Sequence, residues 1–269
     1  MPLTLSHHQL SLFGDNISGA GHLDFIYPQD VSDSDFKAAF DELRILHRGM
    51  MMKLDKLNER SRLCEWLRNN MDEEGAKIEG EKGCYKIPFG ETYDEYFQQL
   101  TKNSKANMKK CYNRINKTGT HMELNVIHGP FSDLHSLKEL LQVYTKRQGE
   151  IIHRSINFGK YLKNRYLSAL TWAMEQLDSQ YSFLLYLNGE LAAVMTGFEM
   201  NDHGIVFPIV AMNSDWQRFS PGKVMIAESV KYLQENTDIR YIDLSRGEER
   251  YKREMGGQKH LNFTCTLTL

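Results

Sequence analysis

Long apolar runs are missing from this chain. No stretch of about 18 consecutive apolar residues occurs, so no membrane-spanning helix is expected. The opening MPLTLSHHQL lacks the charged-then-apolar order of a secretory leader. Cysteine is scarce. The four present, Cys64, Cys84, Cys111 and Cys265, form no Cys-x-x-Cys pair and stand at no zinc-finger spacing from histidine. The expectation is a reduced, cytoplasmic chain with no disulfide framework and no metal. The one adjacent histidine pair, His7-His8, is read as part of a flexible terminus. A surplus of one charge is missing too: 33 Lys and Arg meet 35 Asp and Glu, for a net charge of −2. No global field then draws the chain to DNA or to an anionic bilayer. The GxxxxGK spacing of a Walker loop is absent, which excludes that phosphate-binding device.

What remains is an ordinary globular composition, 41% hydrophobic and 25% charged over 269 residues. That length holds one large domain or two small ones. The C-terminal half is the clearest. In SFLLYLNGELAAVMTGFEM (182–200), Asn188-Gly189 joins two apolar runs; this pair tolerates the positive φ of a tight hairpin turn. NDHG (201–204) reads as a second turn and IVFPIVAM (205–212) as a third strand. Pro208 has no N–H for a ladder and predicts an edge or a local break there. Ser220 and Pro221 then read as the N-cap and first residue of a helix bearing Ile226, Val230 and Leu233. Strands are expected at 240–245 and 260–269. Two earlier helices, 131–147 and 160–177, flank a loop, QGEIIHRSINFG (148–159). In the first half, strands are expected near 9–13, 23–27, 49–54 and 84–89, and helices near 32–46 and 57–69.

Four stretches can carry chemistry. SPGK (220–223) opens a helix, whose unpaired N–H groups favour an anion, with Arg218 and Lys223 adding charge; a plainly capped helix start is the alternative. In YIDLSRGEERYKREMGG (241–257), Asp243 ends a strand and Glu249, Tyr251 and Lys252 follow a turn at Arg246-Gly247. Exposed i,i+3 and i,i+4 pairs are the simpler account of those charges. In KRQGEIIHR (146–154), Arg147, Glu150 and His153 cluster, and His153 titrates nearest neutrality. Residues 101–118 hold six basic groups and no acid, as either a solvated helix face or a face for a phosphorylated ligand.

Taken together and in order, YDEYFQQLTKNSKANMKKCYNRI, VYTKRQ, LNGELAAVMTGF, FSPGKVM and YIDLSRGEERYKREMGG resemble the CelD/BioF2-type acetyltransferase family, a GNAT branch related to the Fem-type aminoacyl transferases. The family's closing signature stands here as Asp243, Gly247, Glu249, Tyr251 and Lys252, its helix start as Ser220, Pro221 and Gly222, and its helix-borne arginine as Arg147. The resemblance implies an α+β fold, a GNAT-like mixed sheet flanked by helices. Two GNAT-like units are expected: a truncated one at 1–92, and the transferase unit at 93–269 with its basic linker helix. It implies direct transfer from acetyl-CoA or another acyl-CoA to an amine or hydroxyl of a cell-envelope or exopolysaccharide precursor. Asp243 or His153 would be the base and Tyr251 the acid. The donor would be held by Val210, Ala211, Arg218, Ser220, Gly222 and Lys223. Arg147, Glu150, Arg246, Glu249 and Lys252 would hold an anionic acceptor. Because QRFSPGKV keeps one glycine of the GNAT pyrophosphate motif, two alternatives stay open. One is a Fem-type enzyme that takes aminoacyl-tRNA along the basic stretch; the other is a non-catalytic binding module.

Overall fold

Asn188 and Gly189 adopt φ of 51° and 79°, and the hairpin they close joins β6 (Gln180–Leu187) to β7 (Glu190–Met200). The computed structural model describes residues 3–6, 8–12, 22–152, 168, 171–200 and 202–269, and of 81, 82, 148 and 150–152 only the backbone. Two compact units are present, one of Met1–Cys84 with His260–Leu269 and one of Tyr85–Lys259.

The second unit is built on the hairpin. β5 (Met122–His128) pairs antiparallel with β6, and β8 (Gly204–Met212) antiparallel with β7. β9 (Tyr241–Arg246) lies parallel to β8. The end of β4 (Lys77–Pro88) flanks β9 on its far side. β6 is buried on both faces, which is why SFLLYL reads as an unbroken apolar run. Phe183, Leu185 and Leu187 face one helical layer and Leu184 the other. The first layer is α4 (Tyr93–Gln99), α5 (Lys102–Lys117) and α7 (Pro221–Asn236). From α7 it buries Val224, Ile226, Val230 and Leu233; from α5, Met108, Cys111 and Ile115. The second layer is α6 (Leu134–Ile152), which sets Leu137, Leu140 and Tyr144 against Val194 and Ile209. A short α8 (Arg250–Glu254) precedes β10 (Gln258–Thr268).

The first unit has the strand order β1 (Leu3–Ser6), β2 (Gln9–Leu12), β3 (Met51–Asn58), β10, β4. Its core gathers Phe36, Phe40 and Leu43 of α1 (Asp33–Leu46) and Trp66 and Leu67 of α2 (Arg62–Asn69). Ser32 and Asp35 form a capping box at the start of α1. A single turn, α3 (Met71–Glu74), follows α2.

Several expectations are corrected. Residues 23–27 form no strand, only a one-residue bridge from Leu23 to Leu57. The second helix starts at Arg62 rather than 57, because β3 runs through Asn58 and Ser61 supplies the cap. No loop starts at 148: α6 continues through Gly149 to Ile152, and the rest of the expected loop lies outside the described residues. Of the edge or local break expected at Pro208, the structure shows the break: β8 has β7 on one side and β9 on the other, but its pairing with β9 ends at Val206. The expected helix at 160–177 lies largely outside the described residues; 171–176 is helical.

Candidate active site

The site begins where two strands stop pairing. β8 pairs with β7 as far as Met212, but with β9 only over Gly204–Val206, although β9 continues to Arg246. Pro208 follows the last rung. Opposite it, the β7–β8 register shifts between Thr196 and Phe198, a bulge around Gly197. A Cβ on Gly197 would sit 2.2 Å from the Val206 carbonyl oxygen, so only glycine fits there.

Beyond the last rung lies a cavity of about 450 Å³. Val210, Ala211 and Met212 of β8 line it, with Gln217 from a 3₁₀ turn (Ser214–Phe219). Ser220, Gly222 and Lys223 come from the start of α7, Arg147 from α6, and Glu249 and Tyr251 from the α8 region. Of the expected site residues, the cavity therefore collects Arg147, Val210, Ala211, Ser220, Gly222, Lys223, Glu249 and Tyr251. Strands that diverge and a helix that starts at the gap follow from chain order: β8, the turn, α7 and then β9.

At the helix mouth, Ser220 occupies the cap position but in left-handed conformation, φ 54° and ψ 50°, and its side chain makes no capping bond. Its carbonyl accepts the Lys223 N–H at 3.0 Å. Pro221 has no N–H and the first turn holds no acid, so no carboxylate of the helix itself offsets the positive end of its dipole. A Cβ added to Gly222 would touch only Met212 Sδ, at 3.9 Å. A side chain there would enter open space in the cavity rather than the core. Lys223 is tied down: its Nζ lies 2.5 Å from Glu254, whose other oxygen meets Arg250 at 2.7 Å. The bond from Lys223, then the charges of Lys223 and Arg250, hold the Glu254 carboxyl below its ordinary pKa.

The charged run divides. Asp243 is 0% exposed; its carboxylate accepts the Ser245 N–H at 2.6 Å and does not line the cavity. The rim base expected there is an element of the turn instead. Lys252, expected to hold an acceptor, is 2% exposed. It donates to the carbonyls of Ser245 (3.2 Å) and Arg246 (2.7 Å) and pairs with Glu249 at 3.1 Å. It is a strut under the turn. Arg246 is exposed and contributes that carbonyl; its side chain does not line the cavity. Arg218, expected at the donor phosphates, is also outside the lining. Its guanidinium stacks 4.6 Å from the Phe219 ring, and its carbonyl accepts from Arg114. Tyr251 lines the cavity; burial, then the Glu249 charge, push its phenol pKa strongly upward. Glu150 has only its backbone described, one helical turn beyond Arg147, and His153 lies outside the described residues.

Sequence reasoning missed Met212 and Gln217. Met212 ends an apolar strand and reads as core; Gln217 belongs to no motif. Their signal is proximity in the chain to Ser220.

A bulged, splayed β8 beside a parallel β9, with a helix opening at the gap, defines a GNAT-type acyltransferase. Residues 102–253 match the family described as acetyltransferase (GNAT) domain, and the chain belongs to that family. No curated protein matches the chain. Among solved structures, one is the C-terminal DUF2156 domain of an Agrobacterium fabrum protein named for lysylphosphatidylglycerol synthetase. It is similar with a TM-score of 0.62 at 9% identity, over 98% of this chain and 79% of that one. A conserved protein of unknown function from Bacteroides thetaiotaomicron gives 0.64 at 13% identity, over 88% and 75%. FemX gives 0.60 at 10%, over 88% and 77%. At these identities the likeness is one of fold.

Proposed function

We propose that the second unit moves an acyl group from acetyl-CoA or another acyl-CoA to an amine or hydroxyl of a cell-envelope or exopolysaccharide precursor. Transfer is direct, with both substrates bound at once, as the CelD/BioF2-type resemblance implies. The observation that carries this reading is the uncapped helix mouth at Ser220–Lys223, opening into the same cavity as Arg147, Glu249 and Tyr251. The mouth suits the donor's phosphates: it offers the Gly222 N–H, a dipole end and the open space over Gly222. The stretch of β8 at Val210 and Ala211, past its last rung with β9, supplies a backbone donor for the oxygen on which charge develops. Arg147 attracts an anionic acceptor. Glu249 takes the proton that the acceptor sheds as its nitrogen or oxygen bonds to the acyl carbon and the carbon–sulfur bond breaks. With its pKa raised, Tyr251 stays protonated at neutral pH and donates a hydrogen bond to the leaving sulfur. Complete transfer of its proton to a thiolate, the weaker base, would run uphill, so the phenol acts as a donor rather than as the acid.

The test is calorimetry with coenzyme A. Binding with heat release, weakened in Gly222→Leu, is expected; no heat at millimolar ligand would overturn the donor assignment. One observation favours a second reading. On α5, Lys102, Lys109, Lys110, Arg114 and Lys117 are all exposed. With the Fem-type resemblance of the sequence, that face suits an aminoacyl-tRNA donor, and a steep loss of tRNA affinity with salt would select it.

A further inference from the structure

In the first unit, three side chains far apart in sequence converge. His22, Cys84 and His260 each offer one ligand atom, and the two nitrogens and one sulfur lie within 4.8 Å of one another. Cys84 is 0% exposed and His260 4%, while His22 is half-buried. The two imidazole rings are tilted, with centroids 5.3 Å apart.

His22 Nδ1 lies 2.9 Å from Asn262 Oδ1, and Asn262 is itself fully buried. An amide oxygen only accepts, so Nδ1 carries the hydrogen and Nε2 keeps the lone pair that a metal needs. A hydrogen bond to the far nitrogen is the usual orienting partner of a metal-ligating histidine. We propose that His22, Cys84 and His260 bind one Zn²⁺ ion, with water as fourth ligand.

Two imidazoles and a thiolate form a borderline-soft donor set that suits zinc over the hard cations. Zinc–sulfur and zinc–nitrogen bonds of about 2.3 and 2.0 Å place tetrahedral ligand atoms on the order of 3.5 Å apart. A small inward movement of the three side chains reaches that spacing. Binding releases the Cys84 proton, and the sulfur–zinc bond replaces the sulfur–hydrogen bond. The anchors come from separate segments: His22 precedes the Leu23 bridge to β3, Cys84 is on β4 and His260 on β10. The ion therefore cross-links the segment at residue 22 to two strands of the same sheet.

The test uses the full chain, stripped with a chelator and titrated with Zn²⁺ alone and Co²⁺ alone. One equivalent of each is expected. The cobalt form should show a thiolate charge-transfer band that disappears in Cys84→Ser. His22→Gln, at a half-buried position that should tolerate the change, should weaken zinc binding at least tenfold. It should also remove the rise in unfolding temperature that zinc gives the parent protein. Absence of stoichiometric binding, a cobalt spectrum without the thiolate band, or unchanged affinity in His22→Gln would each overturn the assignment.

Discussion

The helix mouth at Ser220–Lys223 and the charged run at Asp243–Lys252 border one cavity, but they are built in opposite ways. The mouth is shaped by main chain: a left-handed Ser220, a proline without an N–H and a glycine whose missing side chain leaves room. The run is shaped by side chains. Asp243 grips the Ser245 N–H, and Lys252 holds two carbonyls and one carboxylate. A surface made of backbone tolerates side-chain changes until one of them occupies its space. A surface made of struts fails when one strut is removed.

The largest test of this contrast is Lys252→Met. It leaves two carbonyls and Glu249 without their ammonium. Hydrogen bonds to charged groups are worth about 1.5–3 kcal/mol each, and the exposure of Glu249 discounts its share. A stability loss of about 3 kcal/mol in urea unfolding is expected; a loss below about 0.5 kcal/mol would deny the strut role. Next is Gly197→Ala, which drives a methyl into the Val206 carbonyl and should cost about 2 kcal/mol by the same measurement. Gly222→Leu should leave the unfolding midpoint within error yet reduce coenzyme A affinity about tenfold, or about 1.4 kcal/mol. If stability falls instead, the mouth is part of the core and the contrast breaks. Ser220→Gly should stabilise by about 0.5 kcal/mol, because glycine adopts the left-handed conformation without a Cβ penalty.

The smallest effect is a pH dependence. Because the folded pKa of Glu254 lies below its unfolded value, its contribution is present above the unfolded pKa. It is lost as pH falls through the folded one. Lys223→Met should flatten that acid limb of the stability profile, and an unchanged limb would place the coupling elsewhere.

Legibility in the sequence followed the same division. The hairpin at Asn188-Gly189 and the helix start at Ser220-Pro221-Gly222 are local signals, and both stand where the residues place them. In the charged run, Glu249 and Tyr251 line the cavity as expected, whereas Lys252, expected to hold an acceptor, is buried. What buries Lys252 is a turn with Ser245 at φ 56° and Gly247 at φ 118°, which aims two carbonyls at its ammonium. Nothing in the charge spacing announces that geometry. β5 went unread although MELNVIH alternates, as a strand with one face toward the core and one toward solvent does. His22, Cys84 and His260 were invisible as a group, because only tertiary structure brings such distant segments together.

Pro208 leaves one further consequence. Lacking an N–H, it can donate no hydrogen bond to a neighbouring strand, and it stands just past the point where β8 and β9 part. Zippering of the two strands ends at Val206, two residues before a position that has no donor with which to extend it. The aperture between them is therefore standing architecture: a visiting molecule enters a doorway already ajar, and no backbone has to be unpicked to admit it.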